Sequence, residues 1–171
     1  MADYFAKAAA SEPATIQDAV AAYRSACHRA QSGDIPSAYV YYRDEIQYGN
    51  RKYNHNKLGA YGADVSILSR FYNKHWSDVS SSIPARYHSE ILRDTAVDWQ
   101  ALGQWALAIE AMQSSFSVAE ERGDIGQASF SASWLSELLV ICGKLQEAED
   151  WGLGIESGNA RPAIRRSLNL Y

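Results

Sequence analysis

The sequence predicts an all-α fold, an antiparallel helix-pair solenoid of about seven to eight helices. Apolar residues recur at helical spacing along most of the 171 residues, and no window of consequence alternates with period two. A phrase made of glycine, a hydrophobe two residues on and alanine five residues on starts at Gly33, Gly103 and Gly143, and at the first two a bulky or flexible residue follows nine positions on. The last two glycines are 40 residues apart and the first two 70 apart, close to two such units. Periods of this size are typical of helical-repeat arrays.

The repeated phrase has a physical reason. Glycine tolerates the positive φ of a sharp turn, and a small residue one turn into the next helix lets two backbones approach to about 8–10 Å. Ala38, Ala108 and Ala148 hold that place. We therefore expect sharp turns at the three glycines and buried alanines after them.

The first half of the chain predicts three helices. The first starts after Thr15 and stops at Gly33, the second is opened by Pro36 and ends near Gly49 or Asn50, and the third covers residues 57–74. The residues expected to face inward are Ile16, Ala19, Val20, Tyr23, Ala26, Cys27 and Ala30, then Tyr39, Tyr42 and Ile46, then Leu58, Tyr61, Val65, Leu68 and Tyr72.

The second half predicts helices that end at Gly103, Gly123 and Gly143, and a weaker one that runs from Lys144 towards Gly158. Residues 159–171 start a further helix. We expect one repeat domain over residues 1–171, with residues 1–13 a loosely attached N-terminus and residues 76–84 an irregular internal loop.

The single helix over residues 57–74 conflicts with strict antiparallel alternation, which needs an even number of helices at this place. Two explanations stay open. Either this helix is broken in two, with Gly62 as one candidate position, or the stacking is irregular. We expect a kink or a change of direction around residues 72–84.

The repeated phrase resembles the tetratricopeptide repeat (TPR), with Trp99 or Leu139 late in the first helix, glycine at the turn and alanine early in the second helix. The resemblance implies that the first helix of each pair lines a groove that binds a protein or peptide. The groove positions would be Glu90, Arg93, Val97 and Gln100 on one unit and Phe130, Ser133 and Glu137 on the next.

TPR arrays that hold a C-terminal carboxylate use Lys and Asn at two of these places. This chain has Arg93 with Val97 and Ser133 with Glu137 instead, so that clamp is not predicted. A partner with a mixed or basic, aromatic-bearing surface is favoured.

A narrower likeness begins at "KLGAYGADVSILSRFYNKHW", Lys57 to Trp76. Together with the repeats that follow, it is similar to the C-terminal repeat region of bacterial STAND-type (NACHT-like) NTPases, in which a Lys-Leu-Gly-Ala-Phe-Gly-Ala-Asp-Leu segment leads to Phe-Phe and Trp. The likeness covers roughly Tyr39 to Ala148 and implies a sensor array in signalling or defence. No GxxxxGK[ST] occurs, so no nucleotide site of that kind is predicted, and the chain is either an excised piece or a free-standing relative.

Tyrosines add two candidates to the groove positions. Tyr39, Tyr41, Tyr42, Tyr48 and Tyr53 crowd one helix and its exit, more than one buried stripe can hold. Some should face outward, where tyrosine is a favoured recognition anchor. Tyr39 and Tyr42 therefore join the partner-binding candidates.

Composition excludes several classes of function. The formal net charge of -4 gives no positive field for a phosphate backbone, so no nucleic acid is expected. Cys27 and Cys142 have no CxxC partner, which indicates reduced thiols. No cationic leader precedes an apolar run and no stretch approaches 18 uncharged apolar residues, so the expectation is a cytoplasmic protein without membrane contact.

Catalytic patterns are weak. The histidines His28, His55, His75 and His88 lack metal-ligand spacing, there is no GxSxG, and the carboxylates fit exposed helix faces. No cofactor, metal or catalytic residue is predicted. The one basic cluster, Arg161 to Arg166, is either solvated or in contact with an acidic partner.

The prediction from sequence is thus a non-catalytic protein-interaction module. The alternative is a self-associating structural unit that forms a homo-oligomer through its C-terminal end, where Leu168 and Leu170 lie. An α-helical hydrolase with unrecognised residues is a third, weaker possibility.

Overall fold

The computed structural model describes residues 1–8 and 12–156. Within these residues the regular structure is helical, and the one β pairing found there is an isolated antiparallel bridge between Tyr72 and Val79. The all-α fold is therefore confirmed, whereas the solenoid arrangement and its TPR-like character stay predictions. The chain divides into two compact units, residues 1–87 (unit 1) and residues 88–171 (unit 2).

Unit 1 begins with three α-helices, α1 (Ala2–Ala8), α2 (Ile16–Gln31) and α3 (Ile35–Tyr41). A capping box starts α2: the Thr15 hydroxyl accepts from the Asp18 amide at 3.3 Å, and the Asp18 carboxylate accepts from the Thr15 amide at 3.0 Å. The α1 helix packs on α2, where an Arg29 guanidinium nitrogen lies 3.1 Å from the Asp3 carboxylate. Residues 2–8, expected as part of a loose N-terminus, thus form a helix in contact with α2.

The backbone between α3 and α4 is irregular. A π-helical turn covers Tyr42–Ile46, a 3₁₀ turn covers Gly49–Arg51 and a second π-helical turn covers Asn54–Leu58. Tyr48 and Lys52, on either side of the 3₁₀ turn, have left-handed φ angles of 50° and 46°. This conformation costs an L-residue about 1–2 kcal/mol, so tertiary contacts must hold the segment in place.

The helix expected over residues 57–74 is interrupted, and its break is at Gly59, not at Gly62. Gly59 has φ of 65° and separates the second π-helical turn from α4 (Tyr61–Leu68), which contains Gly62. The break changes the helical phase, so the predicted inward face is partly wrong. The residues that are buried are Ala60, Asp64, Ile67, Leu68 and Phe71, whereas Leu58, Tyr61, Val65 and Tyr72 are half-buried.

Unit 2 consists of α5 (His88–Ala101), α6 (Trp105–Glu121), α7 (Ile125–Ile141) and α8 (Leu145–Glu156) among its described residues. Each helix packs on the next one in the chain. The predicted turn at Gly103 is confirmed: its φ is 74°, its amide donates to the Gln100 carbonyl at 3.0 Å, and the Gln104 amide donates to the Trp99 carbonyl at 2.8 Å. This is a Schellman motif, and the same bond pattern recurs at Gly33, Gly123 and Gly143.

Small residues lie where the helices of unit 2 meet. Ala108 and Ala148 are buried as predicted, and so is Ala38 in unit 1. The buried core of unit 2 is formed by Ala96, Ala108, Ala111, Met112, Phe116, Ala132, Leu135, Leu138, Leu139, Ala148 and Trp151. One expectation fails at a helix end: Ile16 is exposed, because it lies in the first turn of α2.

Residues 72–84 contain single turns and the bridge described above, but no helix. No helix in the described part of the chain combines the length and the apolar character needed to cross a membrane. The predicted helix end at Gly158 and the further helix over residues 159–171 lie outside the described residues.

Candidate functional site

Seven of the nine predicted partner-binding residues lie on α5 and α7. Within each helix they recur at intervals of three and four residues, which places them on one side of that helix. Those on α5 are half-buried and those on α7 are exposed. We call this surface the α5–α7 face, defined by Glu90, Arg93, Val97, Gln100, Phe130, Ser133 and Glu137.

Arg93 connects the two helices. Its Nη1 donates to Gln127 Oε1 at 2.9 Å, and its guanidinium carbon lies 5.4 Å from the centre of the Phe130 ring, a cation–π distance. Its Nη2 is 3.4 Å from the Asp94 carboxylate and 3.7 Å from that of Glu90. Arg93 is therefore fixed, and its charge is balanced by neighbouring carboxylates.

A second bridge lies farther along the same face. Trp134 Nε1 donates to Gln100 Oε1 at 2.8 Å, and the Trp134 and Phe130 ring centres are 5.4 Å apart. Trp134 is half-buried, packs against the core of unit 2 and joins Gln100 to Phe130. The structure thus brings Arg93, Gln100 and Phe130 together, with 43 % of Phe130 open to solvent.

Tyr39 and Tyr42 are wrong as exposed recognition anchors. Each is only 2 % exposed. The Tyr39 ring centre lies 5.7 Å from that of Phe71, and the Tyr42 hydroxyl accepts a hydrogen bond from Gln47 Nε2 at 2.8 Å. The helical stripe that predicted both residues to face inward was the better guide, because Phe71, in a 3₁₀ turn directly after α4 (Ser69–Phe71), supplies a surface on which both rings pack.

Arginines lie over tyrosine rings in unit 1. The Arg43 guanidinium is 5.0 Å from the Tyr87 ring centre and the Arg86 guanidinium is 4.7 Å from it. Hydrogen bonding to Arg86, and then to Arg43, lowers the pKa of the Tyr87 hydroxyl. Burial instead raises the pKa of Tyr41 and of Tyr48. Of these three tyrosines, Tyr87 is therefore the one whose ionised form is stabilised by its neighbouring arginines.

A buried carboxylate is the centre of unit 1. Asp64 is fully buried; its Oδ1 accepts from the Tyr23 hydroxyl at 2.5 Å. Its Oδ2 accepts from Gln47 Nε2 at 2.6 Å and from Asn54 Nδ2 at 2.5 Å, and His55 Nε2 lies 3.3 Å from the same oxygen. Buried carboxylates need such partners because an unpaired one costs several kcal/mol.

The Asp64 cluster ties α2, the irregular segment and α4 together. Asn54 also accepts from the Ala60 amide at 2.9 Å, which fixes the chain on both sides of Gly59. Sequence reasoning missed this cluster. One sequence signal could have indicated it: a charged residue lies on an otherwise apolar helix face. Asp64 is in helical step with Ala60, Ile67, Leu68 and Phe71.

A groove lies between α6 and the α7–α8 turn, and we call it the α6–α8 groove. Its volume is about 590 Å³, within the usual range for binding pockets. Trp105, Ile109 and Cys142 give it apolar walls, and Glu110, Lys144 and Glu147 give it charged edges. Nearby in the sequence, at the same α5–α6 and α7–α8 turns, Leu102, Ile141 and Leu145 are exposed.

Charge is distributed unevenly along the chain. Residues 88–156 hold twelve Asp and Glu against three Lys and Arg, a formal net charge of -9. Residues 1–87 hold eight acidic and ten basic residues, a net charge of +2, and residues 157–171 contain three arginines and no acidic residue. The net charge of -4 for the whole chain therefore hides a strongly acidic α5–α8 segment.

Comparisons with protein-family models, with curated proteins and with solved structures gave no match. The likenesses to TPR arrays and to STAND-type NTPases therefore stay predictions from sequence motifs. Function has to be argued from the faces, charges and contacts described above.

Proposed function

We propose that the chain is a non-catalytic protein-interaction module, a TPR-type sensor or scaffold that binds a protein or peptide partner in bacterial signalling or defence. The observation that carries this proposal is the α5–α7 face. Phe130, Ser133 and Glu137 are open to solvent there, while Arg93 and Gln100 are held by side-chain contacts with α7. A face whose side chains are already fixed loses little conformational entropy when a partner binds.

The charge of the α5–α8 segment indicates the chemistry of the partner. A net charge of -9 over residues 88–156 repels an acidic chain and a phosphate backbone and attracts a cationic one over a distance. The exposed part of the Phe130 ring offers contact area to an apolar side chain or to a cation. We therefore expect a basic peptide segment that carries at least one aromatic or aliphatic anchor.

A display selection tests the proposal. The intact chain is immobilised, and a library of short random peptides is screened for binding to it, first at low salt and then at high salt. Enriched peptides should carry net positive charge with an apolar anchor, and their binding should weaken as salt rises, because exposed charges are screened. Enrichment of acidic peptides, or of none, would contradict the proposal.

Two variants on α7 locate the binding surface. Phe130→Ser should weaken the affinity of the enriched peptides by about tenfold or more, as loss of an aromatic anchor does, measured by fluorescence anisotropy. Ile125→Ser is the matched control, since Ile125 is a large exposed hydrophobe on the same helix but off the α5–α7 face. Equal losses in both variants would show that the peptides bind elsewhere on unit 2.

A further inference from the structure

We infer that residues 157–171, which lie outside the described residues, bind in the α6–α8 groove of their own chain. The inference concerns a different surface from the α5–α7 face and does not depend on the proposed function. It rests on the charge and apolar content of the groove, on the composition of this segment and on the place where α8 ends.

The groove needs an occupant with both apolar and positive groups. Trp105 is 39 % exposed and forms one wall with Ile109. Lys144 lies 3.3 Å from Glu147 and balances it, whereas Glu110 is exposed and makes no ion pair with any described residue. The described residues therefore leave aromatic surface uncovered beside a carboxylate that none of their cations pairs, in a segment with a strongly negative charge.

Residues 157–171 have the complementary composition. Arg161, Arg165 and Arg166 are the only charged residues of the segment, and apolar Ile164, Leu168 and Leu170 are interspersed with them. Such a segment can place apolar side chains against Trp105 and Ile109 while an arginine approaches Glu110. No other stretch of the chain combines three arginines with the absence of acidic residues over fifteen positions.

The chain after α8 is long enough to return to the groove. The α8 helix starts at Leu145, next to Lys144 of the groove, and its twelve residues to Glu156 carry the chain about 18 Å away at 1.5 Å per residue. Ile164 follows Glu156 by eight residues, which span up to about 26 Å when extended. Because the segment is tethered, its effective concentration at the groove is in the mM range, so even weak intrinsic affinity gives substantial occupancy.

Cys142 reports on the groove. Its thiol is free, exposed and part of the groove wall, so a bound segment would cover it. The rate of iodoacetamide labelling is measured on the intact chain by mass spectrometry of the peptide that contains Cys142. The half-buried Cys27 of unit 1 serves as internal reference for general opening of the fold.

Charge reversal of the segment is the decisive change. The variant Arg161→Glu, Arg165→Glu, Arg166→Glu should label at Cys142 about tenfold faster than the natural chain, the ratio expected when a tethered contact of modest affinity is lost. The control variant Arg51→Glu, Lys57→Glu, Lys74→Glu changes three exposed residues of unit 1 by the same charge and should leave the Cys142 rate unchanged. Equal Cys142 rates in the natural chain and the segment variant would overturn the inference.

A second variant on the groove side guards against misfolding of the first. Glu110→Lys alone should also speed the labelling of Cys142. Combined with the three arginine reversals, however, it should slow labelling relative to those reversals alone, because opposite charges then face each other again. Absence of this rescue would count against the contact. Protection that rises with protein concentration would overturn the intramolecular assignment and place the segment of a second copy in the groove.

Discussion

Unit 1 and unit 2 are of similar length but are stabilised in different ways. Unit 1 is organised around the buried Asp64 carboxylate and an irregular backbone with left-handed Tyr48 and Lys52. Unit 2 repeats one device, a Schellman turn at glycine followed by a buried alanine, at Gly103 and Gly143. The difference shows that the same chain uses a specific polar network where its backbone is irregular and generic close packing where its helices are regular.

The largest expected effect tests the polar network of unit 1. Asp64→Ala should lower the free energy of unfolding by about 3–5 kcal/mol, because it leaves the donors of Tyr23, Gln47 and Asn54 buried without their acceptor. Urea denaturation followed by circular dichroism measures it. Ser131→Ala, which removes one buried hydroxyl from the 2.9 Å Ser115–Ser131 contact in unit 2, should cost only about 1 kcal/mol. Similar losses of unfolding free energy in the two variants would contradict the difference between the units.

The next effect tests close packing in unit 2. Ala148→Leu should destabilise by about 1–3 kcal/mol, since the added atoms have no space at a residue that is 2 % exposed against α7. Gln146→Leu is the control on the exposed side of α8 and should change stability by no more than about 0.5 kcal/mol. A melting temperature for Ala148→Leu that equals that of the natural chain would contradict the packing argument.

The smallest effect separates two glycines of unit 2. Gly103→Ala should cost about 1–2 kcal/mol because alanine is strained at φ of 74°. Gly126→Ala should instead stabilise by about 0.5–1 kcal/mol, because Gly126 lies inside α7 and a Cβ there meets only Asp124 Oδ1 at 3.7 Å. Thermal unfolding of both variants gives the comparison, and the same sign for both would be inconsistent with the turn geometry.

Much of unit 2 could be predicted from sequence because its signals are local. A glycine with a buried alanine five residues later defines a turn and a close helix contact within a few positions, and Gly103 with Ala108 obeyed that rule. The shared face of Glu90, Arg93, Val97 and Gln100 on α5 could also be predicted, since residues three and four apart lie on one side of a helix. Contacts across helices, such as Gln100 with Trp134, were not predicted, because helical periodicity carries no information on which side chains of two helices meet.

Unit 1 was predicted less well for the same physical reason. Gly62 was only one candidate for the break that lies at Gly59, since either glycine weakens a helix and only the hydrogen bond from Ala60 to Asn54 decides between them. Tyr39 and Tyr42 were assigned two conflicting roles, burial and recognition. Phe71, which follows α4, provides the packing surface that resolved this conflict in favour of burial.

By itself the sequence determined the all-α class, the turns at Gly33, Gly103 and Gly143 and the burial of the alanines that follow them. Each depends on backbone conformations and side-chain sizes within a few residues. Only the tertiary structure decided that a carboxylate is the centre of unit 1, because the donors to Asp64 come from positions 41, 17 and 10 residues away. A charged side chain among apolar ones is unfavourable unless those distant donors surround it, and only folding brings them next to Asp64.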